Sequence, residues 1–242
     1  APHVETAAGI ILPDDYLRAV ADAAHEAGGL FVLDCIASGT IWVDMEATGV
    51  DVLISAPQKG WSSTPGVAMV MLSARARTAI DATQSTSFAI DLRKWLQIME
   101  AYEKGGHAYH ATMPTDSLAR LRDTMKETAD WGFDRAKAAQ QELGRKARAM
   151  LAKHGYRSVA AKGFEAPGVV VSYTDDPDIQ SARKFIAEGL QTAAGVPLQC
   201  DEGPDFKTFR VGLFGLDKLR NVDRTVGNLE RALEHLHPAH AP

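Results

Sequence analysis

Two residues stand out by type and place. Asp34 closes the apolar run of residues 30–33, and Lys59 follows the run of residues 52–55 after a short loop. Such runs read as buried strands, and ligands of open α/β sheets sit beyond the carboxyl ends of their strands. An acid and an amine placed there form a candidate site. Schiff-base chemistry on pyridoxal phosphate needs this pair. The amine holds the carbonyl carbon, and the acid keeps the pyridine nitrogen protonated so that the ring draws electrons. The lysine must also be free to shed its charge, which a desolvated, cationic setting promotes. A third residue, Arg210, sits between Phe209 and Val211 in an otherwise apolar strand. A lone guanidinium there needs an anion, and its planar fork suits a carboxylate; a structural ion pair is the alternative. The turn Thr64-Pro65-Gly66 lets backbone come close to the site.

The elements that must position these residues alternate. Residues 4–6 read as a strand end. A helix begins at Asp14 with Tyr16, Val20 and Ala24 on one face, and Gly28-Gly29 ends it. Residues 30–33, 50–55 and 67–72 read as strands buried on both faces in a parallel layer. The chain then turns helical. Leu92, Leu96 and Met99 repeat at helical spacing, and residues 116–155 read as two long helices broken near Trp131-Gly132. Residues 169–173 form a strand, 179–190 a helix, 196–200 and 208–211 short strands, and 219–236 a terminal helix. The fold class is therefore α/β for residues 1–133, with a parallel-rich sheet, and α+β for a smaller unit of residues 134–242.

The bulk properties narrow the function classes. The chain has 242 residues, 45% of them hydrophobic and 24% charged, the balance of an ordinary globular protein. A net charge of −5 without a basic run argues against nucleic acid. No stretch is long and apolar enough to span a bilayer, and the opening residues do not resemble a signal peptide. Cys35 and Cys200 give no disulfide framework, so a reducing cytoplasm is the default and both read as small buried hydrophobes. His235, His237 and His240 read as a mobile polar tail, and His107 and His110 lack a metal partner at convincing spacing, so no metal is expected. Trp42, Trp61 and Trp95 read as packing residues, and Glu5 as structural support.

Five strings now form a pattern. FVLDCIASGT at 31–40 and DVLISAPQKGWSSTPGVAMV at 51–70 resemble the class V, fold-type I aminotransferases, most of all the alanine–glyoxylate and serine–glyoxylate branch. PHVETAAG at 2–9 resembles their His-x-Glu-Ser/Thr-Ser-Thr-Gly segment, YHATMP at 109–114 their Tyr-x-x-Thr-x-Pro segment, and FRVGLFG at 209–215 their Arg-Ile-Gly-x-x-Gly segment. Order and separations also agree. The resemblance implies pyridoxal phosphate as cofactor, with Lys59 as its Schiff-base lysine and proton shuttle. It implies Asp34 at the pyridine nitrogen, Thr6 near the phenolic oxygen, Ile36 against one ring face and Gln58 at the phosphate. It places Tyr109 and Thr112 at the phosphate of a neighbouring subunit, hence a homodimer, and Arg210 on the substrate carboxylate.

Full-length members of the family carry a sizeable portion before the PHVET-like segment. It holds a phosphate-binding turn, an aromatic stacked on the ring and much of the dimer interface. A separate segment or chain is expected to supply it. Ala7-Ala8 also stand where Ser-Thr is usual. The function implied is amino transfer from a small amino acid, alanine or serine, to a keto acid such as glyoxylate or pyruvate. A class V lyase or desulfurase is the alternative enzyme, although those usually show a histidine where Gln58 stands. A non-catalytic dimerisation module is the alternative outside enzymes.

Overall fold

The computed structural model describes residues 1–236. His237, His240 and the rest of residues 237–242 lie outside the described residues, whereas His235, also read as part of a mobile tail, lies in a helix (Val222–Leu236) and meets Glu188 Oε2 through Nδ1 at 2.8 Å. β1 (Val4–Glu5) and β2 (Ile10–Ile11) pair antiparallel around a tight turn. α1 (Asp14–Glu26) follows, with Asp14 and Asp15 in its first turn, where carboxylates meet the positive end of the helix dipole. Its buried residues are Leu17 and Ala21, flanked by Val20 and Ala24. These four follow the i, i+3, i+4, i+7 pattern of a core stripe. The expected face is thus displaced, and Tyr16 is half exposed.

β3 (Val32–Asp34), α2 (Met45–Thr48), β4 (Val52–Ser55) and β5 (Met69–Leu72) complete the first layer. The sheet order is β3-β4-β5. β3 and β4 run parallel, with Leu33 opposite Leu53 and Asp34 opposite Ile54, whereas β5 joins antiparallel. The sheet is therefore mixed. α1 packs Leu17 and Ala21 onto Phe31, Leu33, Val50 and Leu53. Burial on both faces is not found in the first strand: Phe31 and Leu33 are buried, but Leu30 and Val32 are exposed, because α1 covers one side only. Buried Asp51 ties this unit together. Its carboxylate accepts from the Phe31 N–H (2.9 Å), His25 Nε2 (2.7 Å) and Ser73 Oγ (3.0 Å). Burial alone would raise its pKa, but these bonds outweigh it and hold the pKa below the usual carboxylate value.

α3 (Ala74–Asp81) and α4 (Leu92–Glu103) are capped by Ser73 and Asp91 side chains. α5 (Thr115–Trp131) and α6 (Phe133–Lys153) meet at Gly132, whose φ of 105° interrupts the helix at the expected break. The remaining elements are β6 (Val169–Tyr173), α7 (Pro177–Gln180), α8 (Arg183–Ala187), β7 (Ala193–Ala194), β8 (Thr208–Gly212), α9 (Leu216–Arg220) and α10 (Val222–Leu236). Their sheet is antiparallel in the order β6-β8-β7. The helix expected over 179–190 is two short helices, broken where Ala182 adopts a φ of 64°. Residues 196–200 are not a strand. The Glu202 carboxylate accepts the N–H groups of Gln199 and Cys200, taking the donors a strand would pair. The main core packs Leu143, Ala147 and Leu151 of α6 and Leu229 and Leu233 of α10 around Phe185 and Phe209. A smaller cluster joins Val4 and Ala37 to Ala166, Val169 and Val171, so the two halves of the chain share apolar contacts.

Candidate active site

Asp34 ends β3 with both of its backbone groups paired to the segment 1–3. Its N–H donates to Ala1 O (2.9 Å), and its carbonyl accepts from the His3 N–H (2.8 Å). The exposed carboxylate accepts the Ile36 N–H through Oδ1 (2.9 Å), an Asx-type turn that aims the following loop. Cys35 N–H donates to Ile54 O (2.7 Å), which anchors that loop to β4. Buried His3 meets Ser38 Oγ through Nδ1 at 2.7 Å. Burial lowers its pKa to about 4, so it bonds as a neutral ring. Burial pushes the Cys35 thiol up to about 11, which leaves it a small hydrophobe.

The lysine loop leaves β4 through buried Pro57 and exposed Gln58 to half-buried Lys59. Ser62 N–H donates to Lys59 O (3.2 Å) and Ser63 N–H to Pro57 O (3.1 Å), so the loop closes on itself. Gly60 packs directly against the Asp34 loop. A Cβ there would lie 2.2 Å from Gly39 O, so only glycine fits. The tips of β3 and β4 are thereby locked side by side. Ser62 Oγ accepts the Leu216 N–H at 2.7 Å and brings in the segment after β8. Lys59 Nζ lies 5.8 Å from the centroid of the Phe214 ring, a cation–π contact. Among the described residues neither Lys59 nor Asp34 forms an ion pair.

Arg210 stands opposite Val171 of β6 and Ala193 of β7. Its Nε donates to Ala194 O (2.8 Å), and among the described residues it has no ion-pair partner, so its terminal nitrogens are available to an anion. Thr6 lies in the turn after β1. Glu5 fixes that turn by accepting the Ala7 and Ala8 N–H groups at 2.6 and 2.7 Å. Arg148 donates to Ala166 O (2.6 Å), Val169 O (3.1 Å) and Gly9 O (3.4 Å), tying the end of the same turn to β6. Tyr109 and Thr112 meet each other, hydroxyl to hydroxyl at 3.2 Å, but no interaction joins them to Lys59 or Asp34. His110 between them sits against the rings of Phe88 and Trp95 at 4.3 and 5.0 Å.

Sequence reasoning passed over Phe214, Ser62 and Gln140. Phe214 lies within the FRVGLFG string, and only its arginine drew notice. Gln140 had a sharper signal: it is a polar residue in the buried stripe Ala136, Leu143, Ala147 of α6. The donor set fits pyridoxal phosphate. It offers a half-buried amine without a carboxylate partner, a carboxylate with one oxygen uncommitted, and the buried Ser63 hydroxyl, which has no partner among the described residues. Two cavities lie elsewhere. One of about 550 Å³ opens between His154, Tyr173, Asp176 and Phe206, at the far end of β6 and β8; one of about 210 Å³ lies between Leu190, Leu213 and α10. Neither is lined by Lys59 or Asp34. Among the described residues no group of three or more His, Cys, Asp or Glu could hold a metal ion, and no helix is long and apolar enough to cross a membrane.

The family model for aminotransferase class-V matches residues 1–195. The 2-aminoethylphosphonate–pyruvate transaminase of Burkholderia ambifaria is 28% identical over 97% of this chain and 61% of its own length. The alanine–glyoxylate aminotransferase of Oryctolagus cuniculus is 26% identical over 96% of this chain and 59% of its own. Among solved structures, alanine–glyoxylate aminotransferase from Nostoc sp. superposes with a TM-score of 0.79 at 23% identity, over 96% of this chain and 60% of that one. The aspartate aminotransferase from Thermus thermophilus gives 0.75 at 24% identity, over 97% and 63%. The chain thus spans about 60% of the length of these relatives. The fold is α/β, of the fold-type I aminotransferase kind. With most of its length matched by the family model, the chain belongs to the class-V aminotransferases.

Proposed function

We propose that this chain carries the lysine-bearing part of a pyridoxal-phosphate-dependent aminotransferase. It moves an amino group from a small amino acid, alanine or serine, to a keto acid such as glyoxylate or pyruvate. The observation that carries the reading is the contact of Gly60 with Gly39 O, which sets Lys59 beside the loop that Asp34 begins. The relatives named for alanine–glyoxylate and aminoethylphosphonate–pyruvate transfer support a two-carbon or three-carbon keto acid as acceptor. When bound, pyridoxal phosphate supplies an electron sink that makes the α-proton of an amino acid labile.

The chain's own residues divide the remaining work. Lys59 would hold the cofactor and move the α-proton of the amino donor; among the described residues it has no ion-pair partner, and its ammonium faces the Phe214 ring. Asp34 would keep a proton on the cofactor's ring nitrogen, and Thr6, Ile36 and Gln58 would help to hold the ring and its phosphate. Arg210 grips the substrate carboxylate with the nitrogens that Ala194 leaves free. Tyr109 and Thr112 serve the phosphate of a second subunit in a homodimer, which accords with their exposure. The large unit ends at residue 133 and the small one begins at 134. A preceding segment or separate chain completes the site, and two unpaired cysteines accord with a cytoplasmic setting. Desulfurase chemistry is disfavoured: desolvation and Glu202 hold the Cys200 thiol above its ordinary value, the wrong direction for a nucleophile.

The test is spectroscopic. The purified chain, incubated with pyridoxal phosphate, should gain a visible band that Lys59→Ala lacks. Alanine should convert that band to the amine form of the cofactor with release of pyruvate. A bound band that alanine and serine leave unchanged would count against amino transfer.

A further inference from the structure

We propose that Gln140 is a positioning residue that sets Lys59 and Asp34 relative to the strand bearing Arg210, an inference that rests on the aminotransferase reading of those three. Gln140 lies on α6, far from all of them in sequence, and is fully buried. Its amide bridges separate segments. Nε2 donates to Pro167 O at 3.1 Å, just before β6, and to Leu213 O at 3.2 Å, just after β8. Two carbonyl acceptors fix which end of the amide is nitrogen, so the oxygen faces the other way. Among the described residues that oxygen has no hydrogen-bond partner, and it abuts Gly39: a Cβ on Gly39 would lie 2.7 Å from it. Gly39 O in turn is the surface on which Gly60, next to Lys59, is seated.

One side chain therefore touches the loop after Asp34 and, through Gly39, the loop of Lys59. It also holds the carbonyl next to Phe214, the ring that faces the Lys59 ammonium. One turn earlier on the same helix, Thr40 Oγ donates to Ala136 O at 2.8 Å, a second tie along the same line. An apolar residue of similar size would fill this place and satisfy a core. A buried amide costs desolvation unless its bonds have a use, and here both bonds run to backbone of the converging segments.

The experiment compares the full chain with Gln140→Leu and Gln140→Asn by native-state hydrogen exchange, which needs no cofactor. Amides of residues 35–40, 59–63 and 213–216 should exchange at least about 10-fold faster together, while those of β3 and β4 keep their protection. Gln140→Asn keeps the amide and shortens its reach, so it should show the same pattern more weakly. A second readout follows covalent capture of pyridoxal phosphate on Lys59 by borohydride: its selectivity over other lysines should fall about 10-fold in Gln140→Leu. Uniform loss of protection, unchanged exchange in the three loops, or failure of both variants to fold would overturn the proposal. The last would make Gln140 a requirement of the core and not of the site. The predicted exchange pattern together with no capture on Lys59 in the unaltered chain would instead overturn the aminotransferase reading and leave the coupling standing.

Discussion

The junction at Gly39, Gly60 and Phe214 and the segment around residues 84–113 differ in what covers them. At the junction, three loops are fastened by backbone contact, by the Ser62 hydroxyl and by the buried Gln140 side chain of α6. In the second segment the large apolar side chains face outward: Phe88 is 67% exposed, Ile90 73% and Tyr109 76%. α4 has no buried residue among its twelve. Yet local order is built in, through Tyr109 to Thr112, Trp95 Nε1 to Ala89 O and Arg77 to Glu100. The inner wall of the site is thus made by this chain's own core, whereas the outer segment is shaped but uncovered. An exposed apolar surface of this kind is the setting that the proposed dimer requires.

The largest effect should come from within the junction. Lys59→Ala should cut transamination by roughly 10⁴-fold or more, since it removes the proposed attachment point and proton carrier together. Single-turnover loss of the donor's α-proton checks it. Next, Phe209→Ala in the main core, where the ring is fully buried against Phe185 and Tyr156, should cost about 3–5 kcal/mol in denaturant unfolding. An equally costly change in α4 would erase the distinction between the two regions.

These regions were not equally legible. The strands around Asp34 and Lys59, the break at Gly132 and β6 followed from apolar runs and glycine placement. The junction itself did not, because Gln140, Thr40 and Leu216 lie far apart in sequence and only tertiary packing brings them to the two loops. On α1 the sequence face of Tyr16, Val20 and Ala24 holds for Val20 and Ala24, but Leu17 and not Tyr16 begins the buried stripe, because the tyrosine keeps its hydroxyl in water. The supposed strand at 196–200 failed because Glu202 takes its backbone donors. Tyr109 and Thr112 were visible only through the family resemblance, since no pattern of spacing marks an exposed hydroxyl pair.

A pH experiment sharpens the comparison. His3 has its folded pKa lowered from 6.5 to about 4 by burial. The unfolded chain therefore binds more protons between those values, and stability should be full above pH 6.5 and fall as pH drops toward 4, by at most about 3 kcal/mol. His3→Gln should flatten that window in denaturant midpoints measured against pH. Arg210→Ala should weaken apparent binding of the donor carboxylate by about 10–100-fold and leave cofactor binding intact, because a charged hydrogen bond contributes about 1.5–3 kcal/mol. Unchanged KM for alanine would remove Arg210 from the site. The smallest effect belongs to the outer segment. Ile90→Ser should alter unfolding of the monomer by about 0.5 kcal/mol or less but lower the sedimentation-measured association constant. A stability loss as large as that of Phe209→Ala would show that the side chain is covered within one chain.

The most direct measurement traps the cofactor. Pyridoxal phosphate is added to the native chain, reduced with borohydride and located by peptide mass mapping. Label concentrated on Lys59, and lost from that peptide when Gly60→Val drives the two loops apart, is the expected result. Label spread over surface lysines with Lys59 no more modified than the rest would contradict the assignment of this lysine as the cofactor's anchor.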